Sequence, residues 1–88
     1  MTTKEVTIVN KLGLHARPAA LFVQMANKFT SDITVEKGTK KINAKSIMGI
    51  MSLGAGKGDM ITLMVDGPDE EEAIQELVDL IENKLVEL

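Results

Sequence analysis

The alternation of apolar and polar positions predicts four short strands and three helices in this 88-residue chain. Period-two patterns occur at 5–10, 32–37, 40–43 and 60–65, as expected for strands that bury one face. In the first of them, Val6 and Ile8 alternate with Glu5, Thr7 and Asn10, and only Val9 interrupts the pattern. Apolar residues recur at helical spacing over 16–27, 47–53 and 69–85. The predicted order is therefore β-α-β-β-α-β-α.

Local signals at the ends of these segments support the assignment. Gly38-Thr39 fits a two-residue hairpin loop, with glycine where a type II′ turn requires positive φ. Ser46 is a preferred N-cap for the short middle helix, and Gly54 is a suitable stop after it. Asp69 is the predicted N-cap of the last helix, with Glu72 at the capping-box position.

The order of elements favours an α+β fold. Strands and helices interleave, yet the second and third strands are joined by a hairpin, which indicates an antiparallel or mixed sheet with helices on one face and solvent on the other. The chain shows no repeat, linker or low-complexity segment, so residues 1–88 are predicted to form a single domain. The start at Met1 and the complete last helix favour a free-standing domain over a fragment.

The composition indicates which residue types form the core and in which cellular compartment the protein is expected. Hydrophobic residues make up 44% of the chain and aromatic residues 2%, so we expect an aliphatic core filled out with methionine. The absence of cysteine excludes disulfides and a cysteine-type zinc site. The chain has neither a secretory apolar segment near Met1 nor an apolar run of membrane-spanning length, so we expect a cytoplasmic protein that does not contact membranes.

The net charge of −3 conceals an asymmetry along the chain. Residues 69–88 carry eight acidic residues and one basic residue, whereas residues 1–68 carry nine basic and five acidic ones. The first part of the chain is therefore suited to attract acidic partners. Nucleic acid is not an expected partner, because the basic residues are scattered and no aromatic stacking platform is present.

Candidate chemistry concentrates in the segment 13–18, GLHARP, which contains the only histidine and the only arginine of the chain. We expect His15 at the N-terminal cap of a helix, where free amides and the helix dipole stabilise phosphate and favour a neutral imidazole. Arg17 can offer its planar guanidinium to phosphate oxygens. Together they suit a histidine that accepts a phosphoryl group covalently. The alternative is a histidine that only caps a helix, beside a solvated arginine, and the spacing alone favours this alternative.

The short middle helix carries apolar residues on nearly every side and is too short to bury them all. We expect Ile47, Met48 and Met51 to be partly exposed as a docking surface, because flexible methionines suit several partners. The alternative is that they belong to the core. Ser46 likewise has two interpretations, a structural N-cap alone or an N-cap that can also be phosphorylated with the helix intact.

Two segments make the chain similar to the HPr family, the small phosphocarrier proteins of the bacterial sugar phosphotransferase system. They are GLHARPAA at 13–20 and KSIMGIMSL at 45–53, and the resemblance spans essentially the whole chain. It implies an open-faced β-sandwich in which a four-stranded antiparallel sheet, order 1-4-2-3, carries three helices on one face.

The resemblance also implies a carrier rather than an enzyme, with no cofactor and no metal. His15 would accept a phosphoryl group through Nδ1 from phosphorylated enzyme I and pass it to sugar-specific IIA components. Arg17 and the backbone amides of Ala16 and Arg17 would hold the phosphoryl group. The partner interface would comprise Ala20, Ile47, Met48 and Met51. A small carrier with several partners is expected to be a monomer.

Ser46 matches the regulatory serine of the family. In Gram-positive relatives, HPr kinase/phosphorylase phosphorylates this serine with ATP, and the product is a corepressor for catabolite control protein A. The wording of residues 47–51 resembles the low-GC Gram-positive branch, so the regulatory role is expected here, and phosphate on Ser46 should repel acidic enzyme I. A purely regulatory paralogue would lack the active histidine, so the presence of His15 favours the carrier.

Overall fold

The structure of the chain, a computed structural model, describes residues 1–88. Its elements follow the predicted order, with a short π-helical segment added at the end of the last helix. In chain order the elements are β1 (Thr2–Thr7), α1 (Ala16–Ala26), β2 (Asp32–Lys37), β3 (Lys40–Asn43), α2 (Ile47–Ser52), β4 (Met60–Asp66), α3 (Glu70–Asp79) and the π-helical segment (Leu80–Lys84).

The four strands form one antiparallel sheet of order β1-β4-β2-β3. Val6 pairs with Ile61, and Val35 pairs with Leu63, so apolar residues meet across neighbouring strands on the helical side of the sheet. The opposite side presents mainly threonine and charged residues of β1, β4 and β2. The predicted fold class, strand order and one-sided covering by helices are confirmed.

The core consists of 22 apolar residues between the sheet and the helices, and its aliphatic character is confirmed. The expectation of a core filled with methionine is wrong. No methionine is buried; Met25 only packs against the edge of the core. The buried positions of α1 are instead occupied by small Ala19 and Ala26 together with Pro18 and Phe22, whereas Met48, Met51 and Met60 are exposed.

The predicted signals at the hairpin and at α2 are confirmed. Gly38 has φ +60°, and Thr39 does not have a positive φ, as a type II′ turn requires. The Ser46 hydroxyl accepts a hydrogen bond from the Gly49 N–H at 3.1 Å, and Gly54 follows the helix with φ +68°. These features depend on neighbours within a few residues, which is why the sequence reveals them.

The predicted capping box of α3 is wrong. Asp69 does occupy the N-cap position, but its carboxylate caps nothing on its own helix and Glu72 is exposed. Instead the carboxylate accepts hydrogen bonds from the N–H groups of Thr30 and Ser31, at 2.9 and 3.0 Å, and from the Ser31 hydroxyl. It therefore fastens the beginning of α3 to the turn before β2. The Ser31 hydroxyl, followed by the Thr30 amide, lowers the pKa of Asp69 to about 2.

The last helix widens beyond Asp79, where the Leu85 N–H bonds to the Leu80 carbonyl at 2.9 Å. The predicted apolar stripe is confirmed across this change, with Val78 only half-buried and the other members buried: Ile74, Leu77, Ile81 and Leu85. None of the helices combines the length and hydropathy that would be needed to cross a membrane.

Candidate functional site

The segment that carries His15 rests on a neighbouring loop through backbone hydrogen bonds. The loop lies between α2 and β4. The Ile8 N–H donates to the Asp59 carbonyl at 2.8 Å, and the Leu14 N–H donates to the Ala55 carbonyl at 2.9 Å. Leu14 is buried, whereas His15 immediately after it is exposed. The backbone leading to His15 is thus tied to a second part of the chain on both sides of the turn.

Gly13 makes this close approach possible. Its φ is +65°, and a Cβ placed on it would overlap the Ala55 carbonyl oxygen and lie 2.7 Å from the Gly56 Cα. The opposing loop is itself braced, because the Asp59 carboxylate accepts from the Gly56 N–H at 2.9 Å and lies 3.5 Å from the Lys37 ammonium. The Gly56 amide and the Lys37 charge lower the pKa of Asp59. Only glycine suits position 13, both for its conformation and for its lack of a side chain.

His15 occupies the N-cap of α1, as predicted, with an extended backbone at φ −135°. Its imidazole is exposed and takes part in no hydrogen bond within the chain. The next residue, Ala16, has φ +54° and is the only non-glycine residue in the left-handed region. Such a conformation costs about 1–2 kcal/mol for an L-residue. The surrounding contacts therefore hold this turn in a form that the local sequence disfavours.

The first turn of α1 is suited to bind an anion. The amides of Ala16 and Arg17 have no acceptor within the helix at this position, and neither donates to a loop or side-chain acceptor. Arg17 is exposed and forms no ion pair, and no acidic residue lies in this turn. The structure thus brings together His15, Ala16 and Arg17 as the sequence predicts. Their roles in phosphoryl transfer stay a prediction.

Three apolar side chains of α2 face solvent, and we call Ile47, Met48 and Met51 the α2 patch. Their exposed fractions are 39%, 79% and 40%, while Ile50 and Leu53 are buried. The expected partial exposure is confirmed, and the alternative that the α2 patch belongs to the core is wrong. Helix α2 packs against α1, the helix that begins beside His15. The predicted interface residue on α1, Ala20, is half-buried.

Ser46 is half-buried at the beginning of α2, where its hydroxyl oxygen acts as the helix cap. The first turn of α2 contains no acidic residue. Two lysines nearby in the sequence are already engaged with main-chain carbonyls, Lys45 with Phe29 at 2.7 Å and Lys40 with Ser52 at 2.6 Å. The structural interpretation of Ser46 is confirmed, and its phosphorylation stays a prediction.

No three His, Asp or Glu side chains lie close enough together to hold a metal ion. The site consists of an exposed imidazole, free helix amides and one guanidinium. These groups can provide a nucleophile and hold a phosphoryl group.

One residue of this region was misplaced by the sequence pattern. Asn10 was predicted to lie in the first strand on its polar side, but β1 ends at Thr7 and Asn10 is completely buried. Its side-chain Nδ2 donates to the Gly13 carbonyl oxygen at 3.0 Å. The signal that could have revealed this is the spacing of asparagine and glycine, since the first and fourth positions of a turn favour these residues.

Comparison with known proteins agrees with this geometry. A family model described as "PTS HPr component phosphorylation site" matches residues 2–83. The HPr-like protein Crh of Halalkalibacterium halodurans is 57% identical over 84 residues, which cover 96% of this chain and all of that protein. The phosphocarrier protein HPr of Cupriavidus necator is 47% identical over 87 residues, covering 99% and 98% of the two chains.

Solved structures extend the comparison to three dimensions. HPr-C-His of Thermoanaerobacter tengcongensis has a TM-score of 0.96 and 62% identity, covering 100% of this chain and 99% of that one. An HPr dimer from the same organism is 67% identical but has a TM-score of only 0.77, with 93% and 97% coverage. The expectation of a monomer therefore stays a prediction. With a matching family model and relatives over nearly its full length, this chain belongs to the HPr family of phosphocarrier proteins.

Proposed function

We propose that this chain accepts a phosphoryl group on His15 from phosphorylated enzyme I and passes it to sugar-specific IIA components. The observation that carries the proposal is the exposed, unpaired imidazole at the first turn of α1, beside amides and a guanidinium that are free to bind phosphate. A carrier must give up its phosphoryl group as readily as it takes it. An exposed site satisfies that need, because both partners can reach the same nitrogen.

In the first step, the lone pair of Nδ1 of His15 attacks phosphorus. An N–P bond forms while the bond between phosphorus and the donor breaks, and its electron pair leaves with the donor group. The other ring nitrogen keeps its proton. The amides of Ala16 and Arg17 and the Arg17 guanidinium stabilise the phosphoryl oxygens. Transfer to a IIA component repeats the exchange with this chain as the donor, so no cofactor is consumed.

The α2 patch supplies the docking surface for these partners, together with Ala20 on α1. The exposure of three apolar side chains on a helix that packs against α1 supports this assignment. Methionine side chains can adapt to differently shaped partners at little cost. We place these encounters in the cytoplasm, and we propose that the carrier acts as a monomer.

A second function, regulation through Ser46, is favoured by a separate observation. Crh-named relatives are more than 50% identical to this chain, and Ser46 lies at a helix cap without acidic neighbours in the first turn. We propose that HPr kinase/phosphorylase transfers the γ-phosphoryl group of ATP to Oγ, with loss of the hydroxyl proton and release of ADP. The product would bind catabolite control protein A and, by its charge, slow the approach of enzyme I.

Intact mass spectrometry tests both functions on the same protein. Incubation with phosphoenolpyruvate, Mg²⁺ and enzyme I should add one phosphoryl group that brief acid treatment removes, and His15→Ala should abolish it. Incubation with ATP and HPr kinase/phosphorylase should add one acid-stable group that Ser46→Ala abolishes. An adduct only in the second reaction would refute the carrier and leave a regulatory protein. An adduct only in the first would refute regulation.

A further inference from the structure

The turn before His15 reverses the usual distribution of polar and apolar residues. Asn10 is completely buried, whereas the apolar residues on either side, Val9 and Leu12, are 42% and 51% exposed. Moreover, Oδ1 of Asn10 is buried without a hydrogen-bond partner. Burying an unsatisfied amide oxygen destabilises a fold, so packing alone does not explain an asparagine here. Leucine at position 10 would bury no such unpaired oxygen of its own.

What Asn10 does provide is a donor for the Gly13 carbonyl. Nδ2 donates to that oxygen at 3.0 Å, and the Asn10 carbonyl accepts from the Gly13 N–H at 3.2 Å. The orientation of the amide is fixed by this contact, since only the NH₂ group can face a carbonyl oxygen. Asn10 therefore holds Gly13 from both sides of its backbone.

The consequence reaches the residue before His15. The Gly13 carbonyl and the Leu14 N–H belong to the same planar peptide unit. Asn10 holds the carbonyl end of this unit, and the Ala55 carbonyl holds the N–H end at 2.9 Å. The plane is thus fixed at both ends, one residue before the exposed imidazole. A rotation of this plane would change the direction in which the chain enters His15.

This restraint matters because the residues of the turn do not by themselves favour its backbone conformation. Gly13 and Ala16 both have left-handed backbones, at φ +65° and +54°, on the two sides of Leu14 and His15. Ala16 is strained in this conformation, and releasing one end of the peptide plane gives the turn a way to relax. Relaxation would move the imidazole relative to the amides that bind phosphate.

We propose that Asn10 is a positioning residue for phosphoryl transfer at His15. Its buried amide oxygen is unpaired and destabilises the fold, but its Nδ2 group fixes the Gly13–Leu14 peptide plane and thereby the position of the imidazole. The inference rests on the proposed carrier function and adds to it a residue that touches neither the phosphoryl group nor a partner. Misplacement of a reacting group by about 1 Å can slow a reaction by about 100-fold, so a partial release predicts a loss of about tenfold.

The experiment compares Asn10→Leu and Asn10→Ala with the wild type and with Ser31→Ala. Ser31 is the other buried polar residue and is a matched control, since it contacts Asp69 rather than the turn before His15. Two quantities are measured with phosphorylated enzyme I as the donor, the transfer rate at saturation and the half-saturating concentration. Amide hydrogen exchange at Leu14, followed by NMR on the unphosphorylated proteins, provides an independent structural readout.

We expect both Asn10 variants to lower the saturating rate about tenfold, with a half-saturating concentration within about twofold of the wild type because the α2 patch is unchanged. Leu14 exchange should accelerate in both. Ser31→Ala should lower the thermal midpoint but change neither the saturating rate nor the Leu14 exchange. Asn10→Leu loses the donor to the Gly13 carbonyl but also removes the buried unpaired oxygen, and these two effects on stability oppose each other. Its thermal midpoint should therefore fall no further than that of Ser31→Ala, so that stability and transfer separate.

Wild-type transfer in Asn10→Leu, or unchanged Leu14 exchange in a folded Asn10→Ala, would overturn the inference while leaving the carrier function intact. A loss of transfer that only follows the loss of stability, equally in Asn10→Ala and Ser31→Ala, would also overturn it. If enzyme I phosphorylates none of the proteins, including the wild type, the carrier function itself is refuted, and Asn10 has no transfer to position.

Discussion

Replacement of Gly13 by alanine is a direct test of how the segment before His15 is supported. Gly13 and Gly54 have nearly the same positive φ, +65° and +68°. Their surroundings differ completely. A Cβ at Gly13 would meet the backbone of Ala55 and Gly56, whereas a Cβ at Gly54 would have nothing within 4 Å. Comparing Gly13→Ala with Gly54→Ala therefore separates the steric cost from the conformational one.

The expected magnitudes follow from these two contributions. A left-handed alanine costs about 1–2 kcal/mol, and the stiffer unfolded chain offsets about 0.4–1 kcal/mol of it. Gly54→Ala should therefore destabilise the fold by about 1 kcal/mol. Gly13→Ala adds the cost of forcing backbone atoms apart, about 1–3 kcal/mol, for a total of about 2–4 kcal/mol. In a chain of this size 1 kcal/mol corresponds to about 5 °C in Tm.

Thermal unfolding followed by circular dichroism measures both variants under identical conditions. Tm should fall by about 10–20 °C in Gly13→Ala and by about 5 °C in Gly54→Ala. Transfer from enzyme I, measured well below either Tm, should be slowed only in Gly13→Ala, because the clash displaces Leu14 and His15. Equal Tm values for the two variants would mean that the loops are not in contact as described, and the proposed support of His15 would be refuted.

Three further predictions concern the docking surface, the hydrogen bonds of the Asp69 carboxylate to Thr30 and Ser31, and the Ser46 cap of α2. Met48→Asp and Met60→Asp both alter exposed methionines, so Tm should change by less than about 2–3 °C in each variant. Only Met48→Asp should raise the half-saturating concentration of enzyme I, by about tenfold. Equal effects of the two variants on that concentration would show that the α2 patch is not the interface. Asp69 has a pKa lowered to about 2, so the stability it contributes is present above pH 4 and is lost as the pH falls toward 2. In urea titrations, the difference in unfolding free energy between the wild type and Asp69→Asn should thus shrink over that range, and a constant difference would contradict the assignment. Ser46→Ala should lower Tm by about 5 °C, because the Gly49 N–H loses its capping acceptor. Ser46→Asp keeps an acceptor at this position, so its Tm should fall by less. A larger fall in Tm for Ser46→Asp than for Ser46→Ala would contradict the capping role.

Much of this protein follows from its sequence because the deciding interactions are local. Period-two alternation marks β2 and β4 within one or two residues of their ends. The glycine of the hairpin and the Ser46 cap act on neighbours three residues away or nearer, so both features can be predicted from the residue type at that position. The position of His15 at the start of α1 is also predicted by local signals, Gly13 before it and Pro18 after it. The length of α2 by itself implies that some of its apolar residues are exposed, since so short a helix cannot bury them all.

Tertiary structure decided what depends on partners distant in the chain. Asp69 has the sequence features of a capping box, yet its carboxylate binds groups 38 and 39 residues away, since Thr30 and Ser31 present amides that the helix end meets only after folding. Asn10 fits a polar strand position and is buried instead, in a turn where its side chain bonds to the Gly13 carbonyl and Gly13 lies against Ala55. The residues of the candidate site are therefore readable from sequence, whereas the structure that holds them in place is not. The proposed chemistry would reside in a few adjacent residues, whereas the backbone that leads to them is tied by hydrogen bonds to a loop more than 40 residues further along the chain.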